Sequence, residues 1–197
     1  MKEKLIFYFN QIHPLDEAEQ ALLIRSFVPQ SYPAKTFLLR QGEVCQNLFF
    51  VTEGIVRVGL VDQQGEDITT YFQTENNFVT DYESFLRDRA AHFFIQAIED
   101  VTVLQIDRYG IHRLYEQVSF GDKLGRVIAE ELFIATNQRL LSFYTQTPEE
   151  RYRTLLATSA QSGLINRVPQ HYVASYIGVK PPSLSRIKRR FQQDHSR

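Results

Sequence analysis

The stretch VPQHYVASYIGVKPPSLSRIKRR, residues 168–190, constrains this chain more than any other. Pro169 opens a helix over Gln170–Ile177, Gly178-Val179 makes a tight turn, and Pro181-Pro182 opens a second helix. Proline is tolerated there because the N–H groups of a first helical turn have no intrahelical partner. Two short helices crossing steeply need a small residue where they touch, a residue at ease with positive φ in the turn, and apolar residues in the wedge. Ala174, Gly178, and the set Val173, Ile177, Val179, Leu184 and Ile187 supply these in turn. The spacing therefore predicts a helix-turn-helix.

At 100° per residue, Leu184, Ile187 and Phe191 share one side of the second helix, and Pro182, Ser185, Arg186 and Arg189 lie opposite. Guanidinium groups on such a face can fork onto the O6 and N7 of guanine, and hydroxyls can bond bases or phosphates. Arg186, one turn in from the helix start, is assigned to base reading. Ser183 and Ser185 are the hydroxyl candidates. Lys180, Lys188, Arg189 and Arg190 suit phosphates, which supply most of the affinity and its salt dependence. Gln170 and His171, at the start of the first helix, are further phosphate candidates.

Charge supports this division. Residues 1–146 hold 13 Lys+Arg against 20 Asp+Glu, whereas residues 147–197 hold 9 against 3. A basic end on an acidic body fits a nucleic-acid module joined to a different domain. Double-stranded DNA is the expected partner. No run approaches the ~20 apolar residues of a membrane span, and the N-terminus lacks a secretion signal's apolar stretch. A cytoplasmic chain with no membrane partner is expected. The single cysteine, Cys45, excludes an internal disulfide framework, and the scattered histidines offer no metal-ligand spacing. No metal and no cofactor are expected.

The acidic body has its own texture. Leu15, Ala18, Leu22 and Leu23 in residues 15–25 mark an amphipathic helix. Short β-rich runs follow at 36–40, 48–52, 55–61, 68–72, 92–98 and 101–106, separated by turn signals such as Gln41-Gly42-Glu43 and Asp62-Gln63-Gln64-Gly65-Glu66. This rhythm predicts an antiparallel sandwich or barrel, with a short helix and loop over 78–89. Residues 108–117 read as a short helix, and 119–145 as a long one with apolar positions at Leu124, Val127, Ile128, Leu132, Ala135 and Leu141. About 25 residues span roughly 38 Å at 1.5 Å per residue. That is longer than a small domain covers, so a second subunit is expected against one face. Thr147-Pro148-Glu149-Glu150 then starts a helix running to about Ala160, with Thr147 as N-cap and acids in the first turn.

Strands, a long helix and a terminal helix-turn-helix together resemble the Crp/Fnr family of bacterial transcription regulators. The supporting stretches are FLLRQGEVCQNLFFVTEGIVRVGLVDQQGEDITTYF, PEERYRTLLA and VPQHYVASYIGVKPPSLSRIKRR. The resemblance implies an α+β chain: an N-terminal antiparallel β-roll (a jelly roll, or double-stranded β-helix) with flanking helices at 1–118, a long dimerisation helix at 119–146, and an all-α helix-turn-helix domain at 147–197. It implies a homodimer through 119–146 on a near-palindromic site, with recognition helices ~34 Å apart. RNA polymerase and an unidentified small-molecule effector are further candidate partners. Many members carry a β-hairpin wing after the recognition helix; FQQDHSR offers none, so fewer backbone contacts to DNA are expected.

Members that bind cyclic nucleotide place a Gly-Glu on the ribose and an Arg-Ser on the cyclic phosphate. Here Thr80-Asp81, in FVTDYESF, stand in place of the first pair, and Ala91-His92 in place of the second. Asp81 could still accept a hydroxyl, with Arg87 or Arg89 as stand-ins for the arginine. A phosphate without its bidentate cation loses several kcal/mol, so usual cyclic AMP binding is not expected. Thr136 and Asn137 match the long-helix region that meets ligand in the family, which completes a candidate effector pocket of Thr80, Asp81, Ala91, His92, Thr136 and Asn137. The cluster-binding members' cysteines are missing, and His13, His92 and His112 show no haem-ligand pairing. An enzyme using Asp81, Glu83 and His92 lacks any nucleophile motif, phosphate loop or metal spacing, so no catalytic residue is expected. The remaining alternative is a sensory or scaffold β-roll protein whose helix-turn-helix no longer binds DNA.

Overall fold

The computed structural model describes residues 1–159 and 163–194. Its contacts divide the chain into two units, one of residues 1–58 and 72–135 and the other of 59–71 and 136–197. The expected end of one helix near Ala160 and the terminal His195-Ser196-Arg197 fall outside the described residues.

The first unit begins with α1 (Lys2–Ile12) and α2 (Glu17–Ser26). α2 starts two residues after the predicted start because Asp16 closes a capping box, accepting from the Glu19 backbone N–H while the Glu19 side chain accepts from the Asp16 N–H. Among the described residues eight strands follow, β4 and β5 shared with the second unit: β1 (Val28–Tyr32), β2 (Phe37–Leu39), β3 (Asn47–Glu53), β4 (Val56–Val61), β5 (Asp67–Gln73), β6 (Asn77–Val79), β7 (Phe94–Ala97) and β8 (Val101–Asp107). They form two four-stranded sheets, ordered β1-β8-β3-β6 and β2-β7-β4-β5. The antiparallel β-roll is therefore present. β3 sits beside β8 with Leu48 opposite Ile106, Phe50 opposite Leu104 and Val51 opposite Val103.

Several expected bounds change. The strand expected over 92–98 is confined to Phe94–Ala97, and His92 lies before it, exposed. The loop-and-helix expected over 78–89 contains β6 and α3 (Tyr82–Arg87). α1 was not anticipated. It forms because Leu5 and Phe9, one turn apart, are fully buried, and Phe9 joins Tyr8, Phe27, Phe50 and Phe78 in a ring cluster whose tightest pair, Phe50–Phe78, is 4.9 Å between centroids.

α4 (Arg108–Gln117) leads into α5 (Gly121–Thr145). Asp107 caps α4 by accepting from the Gly110 N–H. The α4–α5 corner is tight: a Cβ on Gly121 would lie 1.8 Å from the Tyr115 carbonyl oxygen, so only glycine fits there. Glu19 reaches this corner and accepts from both the backbone N–H and the hydroxyl of Ser119, at 3.1 and 2.7 Å. The Ser119 hydroxyl thereby holds the Glu19 carboxyl below the usual carboxylate range.

α5 changes character along its length. Gly121, Leu124 and Ile128 are buried, whereas Phe133, Ile134, Leu140, Leu141, Phe143 and Tyr144 are exposed, Tyr144 to 81%. Ile134, Asn137, Leu141 and Tyr144 together with Phe133 and Leu140 form one contiguous arc roughly 120° wide at 3.6 residues per turn.

The second unit takes in Gly59–Tyr71, which is half of β4, the turn and most of β5, and residues from Thr136 onward. After α5 come α6 (Pro148–Ser159), α7 (Leu164–Arg167), α8 (Gln170–Ile177) and α9 (Pro181–Asp194). Thr147 and Glu150 cap α6 reciprocally: the Glu150 N–H donates to the Thr147 hydroxyl, and the Thr147 N–H donates to the Glu150 carboxylate at 2.7 Å. The small core is built from Tyr152, Leu155, Leu164, Val168, Val173, Ala174, Ile177, Leu184 and Ile187, all buried.

Candidate nucleic-acid interface

The two helices of the motif fall where the spacing places them. α8 covers the residues expected of it, and α9 begins at Pro181. Gly178 ends α8 with φ at +78°. Its N–H donates to the Ser175 carbonyl at 3.0 Å, and the Val179 N–H donates to Ala174 at 2.9 Å. This paired closure satisfies orphan carbonyls of the last turn and reverses the chain. Lys180 then starts α9 by accepting from the N–H groups of Ser183 and Leu184. Val173, Ala174 and Ile177 are fully buried, Leu184 and Ile187 nearly so, and Val179 is half-buried.

The opposite side of α9 is open. Ser185, Arg186, Arg189 and Arg190 are exposed, and Ser183 and Lys188 are half-buried. A shallow groove of about 310 Å³ runs between the start of α8 and the middle of α9, lined by Gln170, Ser185, Lys188 and Arg189 among others. Lys188 crosses it to donate to the Gln170 side chain at 2.9 Å. Arg186 donates to the Ser183 hydroxyl at 3.1 Å and is exposed near the helix start. His171 is exposed, its ring 4.0 Å from that of Tyr172. Two of the expected phosphate ligands already sit in ion pairs. Lys180 pairs with Glu66 of the hairpin tip at 2.7 Å, and Arg190 pairs with Glu149. Pairs this exposed are worth about 0–1 kcal/mol and are readily exchanged for other anions.

The candidate effector residues behave differently. Asp81 caps α3, accepting from the Ser84 N–H at 3.1 Å, and its second oxygen accepts from the N–H groups of His92 and Phe93 at 3.0 and 3.1 Å. The hydroxyl acceptor anticipated at this carboxylate is thus already committed to three backbone donors. Thr80 donates to the Asn47 carbonyl, and Ala91 is tied by both its backbone groups to the Gly42-Glu43 turn. His92 is exposed. Arg87 pairs with Glu83 on the outside of α3. Thr136 and Asn137 belong to the second unit rather than to the one that holds Thr80, Asp81, Ala91 and His92. Thr136 is exposed and Asn137 half-buried.

Arg57, not singled out by the sequence, is buried in β4, its Nε donating to Gln96 at 2.8 Å and its guanidinium 4.7 Å from the Phe94 ring centre. The buried neighbours on both sides, Ile55, Val56 and Val58, show that this strand is covered on both faces. A continuous apolar run flanking a single arginine was the available signal. Among the described residues no group of His, Cys, Asp and Glu is arranged to hold a metal ion, and no helix is long and apolar enough to cross a membrane.

Residues 29–118 match the cyclic nucleotide-binding domain family. No curated protein sequence matches the chain significantly. Solved structures do. FixK2 from Bradyrhizobium japonicum superposes with a TM-score of 0.76 at 14% identity, covering 86% of each chain. A regulator assigned to the crp/fnr family from Eubacterium rectale gives 0.70 at 17% identity over 95% of this chain and 88% of that one. CLP of Xanthomonas campestris, described as a c-di-GMP-responsive global regulator, gives 0.70 at 15% identity over 91% of this chain and 93% of that one. These similarities establish a shared fold.

Proposed function

We propose that this chain, which has the fold of the Crp/Fnr transcription regulators, is itself a sequence-specific DNA-binding regulator, with a roll at 1–118, a dimerisation helix at 119–146 and a DNA-binding domain at 147–197. The observation that carries this reading is the outer face of α9. It presents Ser185, Arg186 and Arg189 to solvent, beside Lys188 and the exposed Gln170 and His171, on a closed helix-turn-helix. Arg186 reads bases, with Ser183 and Ser185 as hydroxyl partners. Lys180, Lys188, Arg189, Arg190, Gln170 and His171 meet phosphates. Lys180 and Arg190 give up Glu66 and Glu149 to do so, at the small cost of two exposed pairs.

Arg186→Ala is expected to relax preference at one base pair, costing about 1–3 kcal/mol against that base alone. Lys188→Ala should weaken all duplexes alike and reduce the salt slope by about one. Competitive gel shifts with single-base variants of a selected site separate these effects. Unchanged base preference in Arg186→Ala would overturn the role given to that residue.

The exposed apolar side chains Ile134, Leu140, Leu141 and Tyr144 along one side of α5 support a homodimer, since such a cluster is commonly covered by a second subunit. Two helix-turn-helix units on such a dimer suit a near-palindromic duplex. The roll does not hold cyclic AMP in the usual way: the carboxylate is committed to backbone donors, and Ala91-His92 offer no guanidinium for the cyclic phosphate. Titration calorimetry is expected to give no heat with cyclic AMP at micromolar protein, and saturable micromolar binding would contradict this. The effector, where one acts, is a different small molecule, and cytoplasmic action with RNA polymerase completes the reading.

A further inference from the structure

Two arginines in the second unit, Arg151 buried and Arg139 half-buried, grip the ends of two helices. Arg151 is buried; its Nε donates to the Ile177 carbonyl at 2.9 Å, and one terminal nitrogen donates to Ser142 at 3.1 Å and Gln146 at 2.5 Å. Ile177 ends α8, whereas Ser142 and Gln146 belong to the last turn of α5 and the corner after it. Arg139, on α5, donates to the Tyr176 carbonyl, and its guanidinium lies 3.7 Å from the Tyr176 ring centre and 4.3 Å from that of Phe143. Arg151 lies 5.0 Å from the same Phe143 ring.

The carbonyls of a helix's last turn have no intrahelical partner, and that end carries partial negative charge. A cation is favoured at either end separately. One guanidinium bonded to the ends of two different helices also fixes their relative direction, because its donors have a rigid planar fork. Phe143 stands between the two guanidiniums, within reach of both.

We propose that Arg139 and Arg151 are positioning residues for DNA recognition, fastening the helix-turn-helix to the end of α5 so that the two travel as one body. The proposal rests on the reading of α5 as the dimer helix and of α9 as the DNA-reading helix. On that reading the clamp sets the separation of two recognition helices, which must match successive major grooves ~34 Å apart. It acts on half-site spacing and leaves base choice to α9. Burial pushes the Arg139 guanidinium down to about 10, as expected for a cation withdrawn from water to hold a fixed place.

The test has two arms on the full chain. In the first, spin labels at Gln138→Cys and Gln193→Cys, both exposed positions on α5 and α9, report the distance between the helices without DNA. The buried Cys45 should stay unlabelled. A narrow distribution is expected, broadening at least twofold in width in Arg139→Met and Arg151→Met and recovering in part in Arg139→Lys. A broad distribution in the parent chain, or unchanged widths in both Met variants, would overturn the clamp whatever the DNA results. In the second arm, a duplex selected from a random pool is rebuilt with half-sites moved apart or together by one and two base pairs. The parent chain should prefer one spacing. The Met variants should lose about tenfold on that spacing, bind the others as well, and keep parental affinity for a single half-site. Equal loss on half-site and full site with spacing preference intact would reduce both arginines to fold stabilisers. A parent chain that selects no duplex would refute the DNA-binding reading and leave the first arm to decide the clamp.

Discussion

Leu141→Glu is expected to convert the chain to a monomer and to weaken binding to a full near-palindromic duplex by at least about 100-fold, with half-site affinity kept. Leu141 is 57% exposed on the same side of α5 as Ile134, Asn137 and Tyr144, one to two turns from each. A glutamate there reaches water in a lone chain, so the fold bears little cost. In a dimer two carboxylates would be driven into one apolar seam, and burying such charges without partners costs several kcal/mol. The second half-site contact then ceases to be intramolecular, and the effective concentration it supplied is lost. Light scattering gives the mass, thermal unfolding gives the stability, and gel shifts on full and half duplexes give the affinity. A variant that stays dimeric would move the interface elsewhere.

Gly178→Val is expected to destabilise the second unit by about 3 kcal/mol and to abolish sequence preference. Gly178 adopts a φ of +78°, where β-branched residues are strained. A Cβ there would also sit 3.3 Å from both the Arg151 guanidinium and the Phe143 ring. The substitution therefore strains the turn and presses on the clamp together. For a unit of this size, such a loss lowers its melting transition by well over 10 °C. The first unit should be unaffected, so calorimetry should show the second unit melting ahead of it. A variant that melts with the parent and retains preference would show that the turn tolerates what its geometry forbids.

The helix-turn-helix was legible because everything that specifies it is local: the prolines, Gly178 and the apolar wedge lie within about twenty residues. α4 was legible for the same reason, since Asp107 and the residues after it carry their own start signal. What the sequence concealed is non-local. α1 owes its place to a ring cluster assembled with Phe27, Phe50 and Phe78. The three-residue strands β2 and β6 are too short for alternation to mark their ends. Asp81 looked like a free acceptor because its donors at His92 and Phe93 lie 11 and 12 residues away. Nothing in the local sequence marks Arg139 or Arg151, because their carbonyl partners at Tyr176 and Ile177 lie 37 and 26 residues away. Long charged side chains take their roles from what the fold brings within their reach.

The most direct test is selection of bound duplexes from a random pool by the purified full chain, followed by affinity measured from about 50 to 200 mM salt. The account predicts one enriched, near-palindromic sequence with half-sites a helical turn apart, and an affinity falling by about 10³-fold or more across that range. No enriched sequence, or an affinity indifferent to salt, would contradict it.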